Sequence, residues 1–344
     1  MSMRWKSLAW MALALLALSG CGDEDRSRSR RLLNVSYDPT RELYQEMNAA
    51  FVAQCESEGL TGVRVEQSHG GSGKQARAVL DGLEADIVTL ALGYDIDMLS
   101  FQGRLLPGDW ATRLPNRSVP SYSTIVLLVR SGNPRQIRDW DDLVKDGVEV
   151  ITPNPKTSGG ARWNYLAALA WATRKYGTRQ AALEYLTRLF RHVPVLDTGA
   201  RGATNTFVRQ RKGDVLIAWE NEALLAQREL PDEGFEIVYP SLSIKAEPPV
   251  AMVDLGVQAN GTRELAEKYL QFLYSDAGQA IAARHFYRPF RPEAAQPQDL
   301  QRFQDLAMVS IDAEFGGWMA AHAEHFANGG TFDQIMAARN ADTP

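Results

Sequence analysis

Residues 148–176 read VEVITPNPKTSGGARWNYLAALAWATRKY, and this stretch holds the local pattern that decides the fold. The short apolar run at 148–152 is typical of a buried strand, and 161–176 has the length and apolar content of a helix. Between them lies a turn of proline, serine and glycine, residues 153–160. The stretch therefore predicts a strand, a turn and a helix in that order.

The same alternation fills the chain from Leu32 onward. The apolar runs predict strands at 32–36, 63–67, 87–90, 124–129, 148–152, 215–218 and 235–238. The amphipathic segments predict helices at 39–58, 73–83, 140–144, 161–176, 180–191, 203–211, 221–228, 263–274 and 275–285. Strands that alternate with helices are typical of the α/β class with a mostly parallel sheet. About 310 residues exceed a usual single domain, so we expect two lobes, with 124–129 and 250–253 as the crossings between them.

Four predicted strand ends lead through short polar or glycine-containing turns into helices. These turns lie at 35–40, 68–74, 155–161 and 197–204. A helix start leaves backbone N–H groups unpaired and carries the positive end of the helix dipole, and glycine lets the backbone approach a ligand. In open α/β sheets such sites lie beyond the carboxyl ends of the strands. One turn of this kind is usually a plain helix cap, but four of them favour an anion-binding site.

Enzyme motifs near these turns are incomplete. A Walker A loop would need glycine at position 68 and serine or threonine at 75, where the chain has Ser68 and Gln75. A nucleophile elbow around Ser72 would need glycine at 74, where Lys74 stands. An exported sulfatase or phosphatase, the alternative from a different class of protein, would need a nucleophile with a base or a metal cluster. The sequence offers neither.

The composition argues against several other partners. With 37 Lys and Arg against 42 Asp and Glu, the formal charge is −5, so we expect no nucleic-acid partner. Cys21 and Cys55, the two cysteines, lie in no C-x-x-C pair. His322 and His325 have a spacing that metal sites use, but with no third ligand nearby in sequence we expect an exposed helix face. We expect no metal and no cofactor.

The N-terminus has the pattern of an export signal. Positive charges precede an uncharged run at 8–18, which is too short to cross about 30 Å of hydrocarbon as a helix. The sequence Leu-Ser-Gly-Cys that follows resembles the bacterial lipoprotein signal box and ends at Cys21. We therefore predict a signal peptide at 1–20, a lipidated Cys21 and a polar tether at 21–31. The alternative, ordinary secretion, leaves Cys21 unexplained.

Seven longer stretches carry a resemblance to a known family. They are LLNVSYDPTRELY (32–44), QSHGGSGKQA (67–76), EADIVTLALGYD (84–95), VITPNPKTSGGARWNYLAA (150–168), VLDTGARGATNTFV (195–208), GDVLIAWENEALL (213–225) and HFANGGTFDQI (325–335). These stretches resemble those of the periplasmic sulfate-binding proteins, the solute receptors of sulfate/thiosulfate ABC importers. The resemblance runs from Leu32 to about Arg339.

The resemblance implies a type II periplasmic-binding-protein fold, an α/β fold of two lobes with a ligand cleft between them. Lobe I would comprise 32–122 plus 252–344, and lobe II 123–251. Members of the family hold one dehydrated sulfate with seven neutral donors. By motif, these would be the backbone N–H groups of Asp38, Gly159, Gly160 and Ala200, the hydroxyls of Ser72 and Ser158, and the indole N–H of Trp219. From sequence alone, a tryptophan that ends an apolar strand would be assigned to the core.

The resemblance also implies a function without catalysis. We expect a monomeric receptor that captures sulfate and delivers it to the permease subunits of an ABC importer, located in the periplasm and anchored to the membrane at Cys21. A receptor that prefers thiosulfate, or accepts both anions, is the main alternative. Lys74, Arg162 and Arg201 look like sulfate partners, but the family precedent keeps such charges out of direct contact.

The predicted donor set also bears on phosphate. Phosphate near neutral pH keeps a proton that would need an acceptor in the site. In the sequence, Asp197 and Glu220 could supply one.

Overall fold

The computed structural model describes residues 30–341 and contains two β-sheets covered by helices. The predicted signal peptide, Cys21 and most of the predicted tether lie outside the described residues. Within 30–341, no helix is long and apolar enough to cross a membrane. The mixed architecture agrees with the predicted α/β class.

The seven predicted strands occur in the predicted order, and within residues 30–341 the structure adds five strands that were not predicted. The strands are β1 (Arg31–Tyr37), β2 (Arg64–Gly70), β3 (Ile87–Thr89), β4 (Ser121–Val129), β5 (Val150–Pro153), β6 (Leu196–Asp197), β7 (Val215–Trp219), β8 (Glu236–Val238), β9 (Ser243–Ala246), β10 (Val250–Met252), β11 (Arg288–Pro289) and β12 (Met308–Val309). The predicted strands are β1–β5, β7 and β8, and the added ones are β6 and β9–β12. The helices are α1 (Arg41–Ser57), α2 (Ser72–Leu80), α3 (Gly93–Phe101), α4 (Gly159–Tyr176), α5 (Arg179–Arg191), α6 (Ala200–Val208), α7 (Glu220–Glu229), α8 (Asp254–Asn260), α9 (Arg263–Leu273), α10 (Asp276–Arg284), α11 (Pro297–Leu300), α12 (Ile311–Phe315), α13 (Trp318–Ala321) and α14 (Thr331–Ala341). The segment predicted as a helix at 140–144 is a 3-10 helix.

The first sheet has the strand order β10-β3-β1-β2. Strand β1 pairs in parallel with β2 and β3, and β10 is antiparallel at the edge. Helices α1 and α9 pack together through the rings of Phe51, Tyr269 and Phe272, with centroid distances of 5.0 and 5.7 Å from Phe51. Parallel pairing brings the ends of β1 and β2 to the same edge of this sheet.

The second sheet has the order β12-β9-β4-β7-β5-β6, and β8 and β11 also pair with β4. Helix α4 is apolar on most of its surface, and its residues from Gly159 to Ala172 are buried apart from Arg162. Segment 161–176 was predicted together with the amphipathic helices but has little amphipathic pattern, because a helix that is covered on all sides can be apolar all round.

The chain crosses between the sheets three times. It leaves the first sheet before β4, returns between β9 and β10, and leaves again after β10, since β11 pairs with β4. The two predicted crossing segments are therefore strands within one sheet each, β4 in the second and β10 in the first, and the third crossing was not predicted.

The C-terminal part differs from the predicted division of the lobes. Residues 252–344 were all expected in lobe I, but β12 pairs in parallel with β9 of the second sheet. Phe332 of α14 packs edge-on against Phe190 of α5, with ring centroids 5.2 Å apart. The chain from Met308 onward therefore lies with lobe II, because its apolar side chains complete the core around α4 and α5.

Candidate functional site

The two lobes touch where the turn before α4 meets the start of α2. A Cβ atom added to Gly159 would lie 3.0 Å from the Cβ atoms of both Ser72 and Ala91, so glycine allows this approach without a shift of the neighbouring atoms. Beside it, the indole of Trp163 donates to the backbone carbonyl of Ala91 at 2.9 Å. Two turns that are far apart in sequence thus form one junction between the lobes.

Three of the predicted donors surround a fourth, Gly160. A Cβ atom added to Gly160 would lie 3.4 Å from Nε1 of Trp219 and 3.7 Å from both Ser158 Oγ and the Cβ of Ala200. Trp219 is 1% exposed, and its indole N–H donates to the carbonyl of Gly160 at 3.2 Å. Trp219 is therefore buried and at the same time lies next to Gly160, one of the other predicted donors.

Helix starts supply the backbone donors. Ser158 caps α4 by accepting the N–H of Ala161 at 3.2 Å. The N–H groups of Gly159, Gly160 and Ala200 lie in the first turns of α4 and α6, where a helix provides no internal acceptor. Among residues 30–341, no acceptor is found for these three groups or for the hydroxyl proton of Ser158.

Asp38 approaches the junction from the first lobe. It directly follows β1 and starts a one-turn 3-10 helix with Pro39. Asp38 and Gly159 line the same cavity of about 690 Å³, which opens beside the junction. The structure therefore brings all seven predicted donors to the junction or to the cavity next to it.

Ser72 has a partner that the sequence did not reveal. Its hydroxyl donates to Oδ2 of Asp95 at 2.5 Å and accepts the N–H of Ala91 at 3.0 Å. Asp95 is buried at the start of α3, and this burial raises the pKa of its carboxyl, although the positive charge of Arg162 opposes the shift. The only signal for Asp95 in the sequence is its place at the end of the 84–95 stretch.

Arg162 is held by groups of its own lobe. Its Nε donates to the carbonyl of Pro155 at 3.0 Å, and Nη1 lies 3.3 Å from Nδ1 of His322. His322 stacks on Tyr94 at 3.7 Å, and burial, with Arg162 and Lys156 nearby, lowers the pKa of His322 to about 4. The guanidinium is thus occupied by a carbonyl and a neutral imidazole.

The two C-terminal histidines do not lie on an exposed helix face, so that prediction was wrong. His325 is buried with its Nδ1 3.2 Å from the hydroxyl of Tyr165, whereas His322 faces Arg162. In the part of the chain that the structure describes, no group of three metal-ligating side chains comes together.

Arg201 joins the two lobes. It lies next to Ala200 on α6, and its Nη2 is 3.1 and 3.2 Å from the two carboxylate oxygens of Glu42 on α1. Lys74 is exposed at the rim of the large cavity. Of the three basic side chains that look like sulfate partners in the sequence, Arg162 and Arg201 therefore have protein partners near the site.

Asp197 and Glu220, which the sequence suggested as acceptors for a phosphate proton, differ in their hydrogen-bond partners. Both carboxylate oxygens of Glu220 accept from Arg288, each at 2.7 Å, so this side chain is committed to a buried ion pair. The Oδ2 atom of Asp197 is buried, with no hydrogen-bond partner among the described residues.

Glu222 is a second acidic group that sequence reasoning missed. It is buried and lines a small cavity together with Gly160, Ala200 and Trp219. Burial raises the pKa of Glu222 to about 7, and Arg201 only partly opposes this shift. Its only signal in the sequence is its place in the 213–225 stretch, three residues after Trp219.

Comparisons with known proteins show the family of this chain. The family described as bacterial extracellular solute-binding protein matches residues 32–288. The sulfate-binding protein of Escherichia coli strain K12 is 58% identical over 306 residues, which is 89% of this chain and 92% of that protein. The thiosulfate-binding protein of Pseudomonas aeruginosa is 48% identical over 329 residues, or 96% and 98% of the two chains. The structure of the sulfate-binding protein SubI from Mycobacterium tuberculosis H37Rv, at 33% identity, has a TM-score of 0.74 and covers 85% of this chain and 98% of that one.

The raised pKa of Glu222 has a consequence for stability. A carboxyl group with a higher pKa in the folded than in the unfolded chain binds more protons when folded, so the free energy of unfolding falls as pH rises. For Glu222 this loss of stability occurs between pH 4.5, the ordinary pKa of the group, and about pH 7, its pKa in the folded protein. Glu222→Gln should therefore be more stable than the native protein near pH 8, by up to about 3 kcal/mol, and by much less near pH 5.

Urea unfolding of both proteins at the two pH values measures this difference. Glu229→Gln, a change of an exposed glutamate on the same helix, is the control and should show no such pH dependence. A stability difference between Glu222→Gln and the native protein that is the same at both pH values would contradict the prediction.

Proposed function

The chain belongs to the bacterial extracellular solute-binding proteins, within the group of the sulfate-binding and thiosulfate-binding proteins, and we propose that it captures sulfate between its lobes and delivers it to the permease subunits of an ABC importer. One observation carries this proposal. Hydrogen-bond donors from both lobes converge on the junction at Gly159 and Gly160, and several of them have no acceptor among the described residues. Such a set matches a small anion whose oxygens only accept.

The proposed ligand set combines both lobes. It consists of the backbone N–H groups of Asp38, Gly159, Gly160 and Ala200, the hydroxyls of Ser72 and Ser158, and the indole N–H of Trp219. Hydrogen bonds to an ionised acceptor are stronger than neutral ones, and the starts of α4 and α6 add the positive ends of two helix dipoles. Sulfate would thus be held without a cation in contact with it.

Closure follows from the positions of the donors. Strand pairing and packing support lobe I at about 31–120 and 250–287, and lobe II at about 121–246 together with 308–341. Because Ser72 and Asp38 lie on lobe I and the other donors on lobe II, sulfate is fully coordinated only when the lobes approach. The protein acts by binding and release and transforms nothing.

Thiosulfate remains the second candidate ligand. The relative from Pseudomonas aeruginosa, at 48% identity, is a thiosulfate-binding protein. Sulfate is favoured over thiosulfate because the proposed donors are N–H and O–H groups, which prefer oxygen to sulfur as an acceptor. A receptor that accepts both anions is compatible with the same donor set.

Isothermal titration calorimetry on anion-free protein with sulfate, thiosulfate and phosphate tests the function. We expect sulfate to bind and phosphate to bind at least about a hundredfold more weakly, because an unmatched buried proton costs about 1–3 kcal/mol and a site built on hydrogen bonds can discriminate further. No binding of sulfate would refute the proposal. Phosphate binding of similar strength would show that Asp197 or another group supplies an acceptor.

The role of Trp219 is tested by Trp219→Phe. This change keeps most of the apolar packing but removes the indole N–H, so sulfate binding should weaken by about 1.5–3 kcal/mol. Calorimetry at pH 7 measures the loss. The matched control is Trp171→Phe, since that buried indole donates to Ser241 and lies outside the ligand set. Unchanged sulfate affinity in Trp219→Phe would return this residue to a packing role.

We also propose that the protein is a periplasmic lipoprotein. The signal box at 18–21 supports this, although Cys21 lies outside the described residues. Cys21→Ala should move the protein from the membrane fraction to the soluble one, because the acyl chains on one residue would provide the whole anchor.

Membrane fractionation of cells that express each variant measures this shift. Cys55→Ala is the control: Cys55 is buried in lobe I, and its loss should leave the protein on the membrane. Cys21→Ala protein that is processed normally and still sediments with membranes would exclude lipid anchoring.

A further inference from the structure

The bonds of Ser72 conflict with the role proposed for it. A serine hydroxyl has one proton and two lone pairs. In this structure Oγ accepts the N–H of Ala91 and lies 2.5 Å from Oδ2 of Asp95. If Asp95 is a carboxylate, the single proton of Ser72 is given to Asp95 and cannot be given to sulfate.

We propose that Asp95 is a neutral carboxylic acid in the sulfate complex and donates its proton to Ser72, which frees the Ser72 hydroxyl to donate to sulfate. This inference rests on the proposed function. In this arrangement Ser72 accepts from Ala91 and from Asp95, both lone pairs are used, and its proton is directed to the ligand. Starting from the carboxylate, one proton is taken from solvent when sulfate binds.

Burial favours the neutral form of Asp95. Asp95 is 5% exposed, and burial raises the pKa of its carboxyl, although the Arg162 charge and the Ser72 hydrogen bond both oppose the shift. Arg162 donates to Pro155 and contacts His322, and among the described residues it makes no hydrogen bond to Asp95. A sulfate dianion beside Ser72 adds negative charge, which raises the pKa of Asp95 further.

The other titratable groups around Asp95 do not favour its ionised form strongly enough to oppose the effect of burial. Lys74 lines the same cavity but is exposed, so solvent screens its charge. Tyr94 precedes Asp95 on α3, and burial raises the pKa of its phenol, so it stays neutral. His322 stacks on Tyr94 and is neutral above its lowered pKa of about 4.

The protonation of Asp95 then determines which anion the site accepts. With ionised Asp95, Ser72 would present a lone pair to the ligand and suit an oxyanion that carries a proton. With neutral Asp95, Ser72 presents a donor and suits sulfate. Asp95 is therefore a residue that positions the Ser72 proton and sets specificity, although it need not touch the ligand.

Infrared difference spectroscopy tests the protonation state directly. We expect sulfate-bound native protein near pH 8 to show the C=O stretch of a protonated carboxylic acid, absent from Asp95→Asn and shifted in sulfate-saturated Ser72→Ala. If calorimetry shows sulfate binding but the spectrum of the native complex lacks this band, the inference is overturned and the proposed function stands. If sulfate does not bind, the proposed function itself fails.

Affinity gives a second readout. Asp95→Asn keeps an N–H that can donate to Ser72, whereas Asp95→Leu has a similar size and no donor. Sulfate should bind Asp95→Asn at least about tenfold more tightly than Asp95→Leu. Equal affinities in two folded variants would contradict a donor role for Asp95. The infrared test on the native complex decides the question even if Asp95→Leu does not fold.

Discussion

The approach of Gly159 to Ser72 and Ala91 is the constraint on which the rest of the site depends. Any side chain at Gly159 would contact the first lobe at 3.0 Å, a distance that requires something to shift. This contact places the start of α4 against the start of α2, and the neighbouring bond from Trp163 to Ala91 fixes their relative position. Donors from two lobes can converge on one small anion because the backbones meet so closely.

The prediction of the fold succeeded where local pattern was sufficient. The strands and helices proposed for 32–285 occur at nearly the predicted bounds, because each has its own apolar period and its own turn residues. Helices α3 and α8 and the C-terminal helices were missed: α3 has little amphipathic pattern, α8 and α11–α13 are short, and α14 follows no predicted strand. The segment after Met308 was assigned to the wrong lobe, since amphipathic pattern shows that a helix has a buried face but not which core buries it.

Prediction of the site followed the same rule. The glycine and serine turns could be found from sequence because a helix start is a local feature, and the structure brings those turns together. Asp95 and Glu222 could not be found, because their properties come from burial against distant segments. Asp95 meets Ser72 only through the packing of α3 on α2, and Glu222 lies in a small buried cavity with Gly160 of α4 and Ala200 of α6.

Buried acids beside an anion site would repel the ligand if they were ionised, but burial shifts both acids toward their neutral forms. Two like unit charges about 5 Å apart repel by about 3 kcal/mol at an effective dielectric constant of about 20. Burial raises the pKa of both Asp95 and Glu222, so each can avoid that repulsion by holding a proton. The nearby arginines are also kept from full contact with the anion, since Arg162 donates to the Pro155 carbonyl and Arg201 to Glu42. A receptor that must release its ligand benefits from both features, because opening the lobes then separates sulfate from dipoles rather than from full charges.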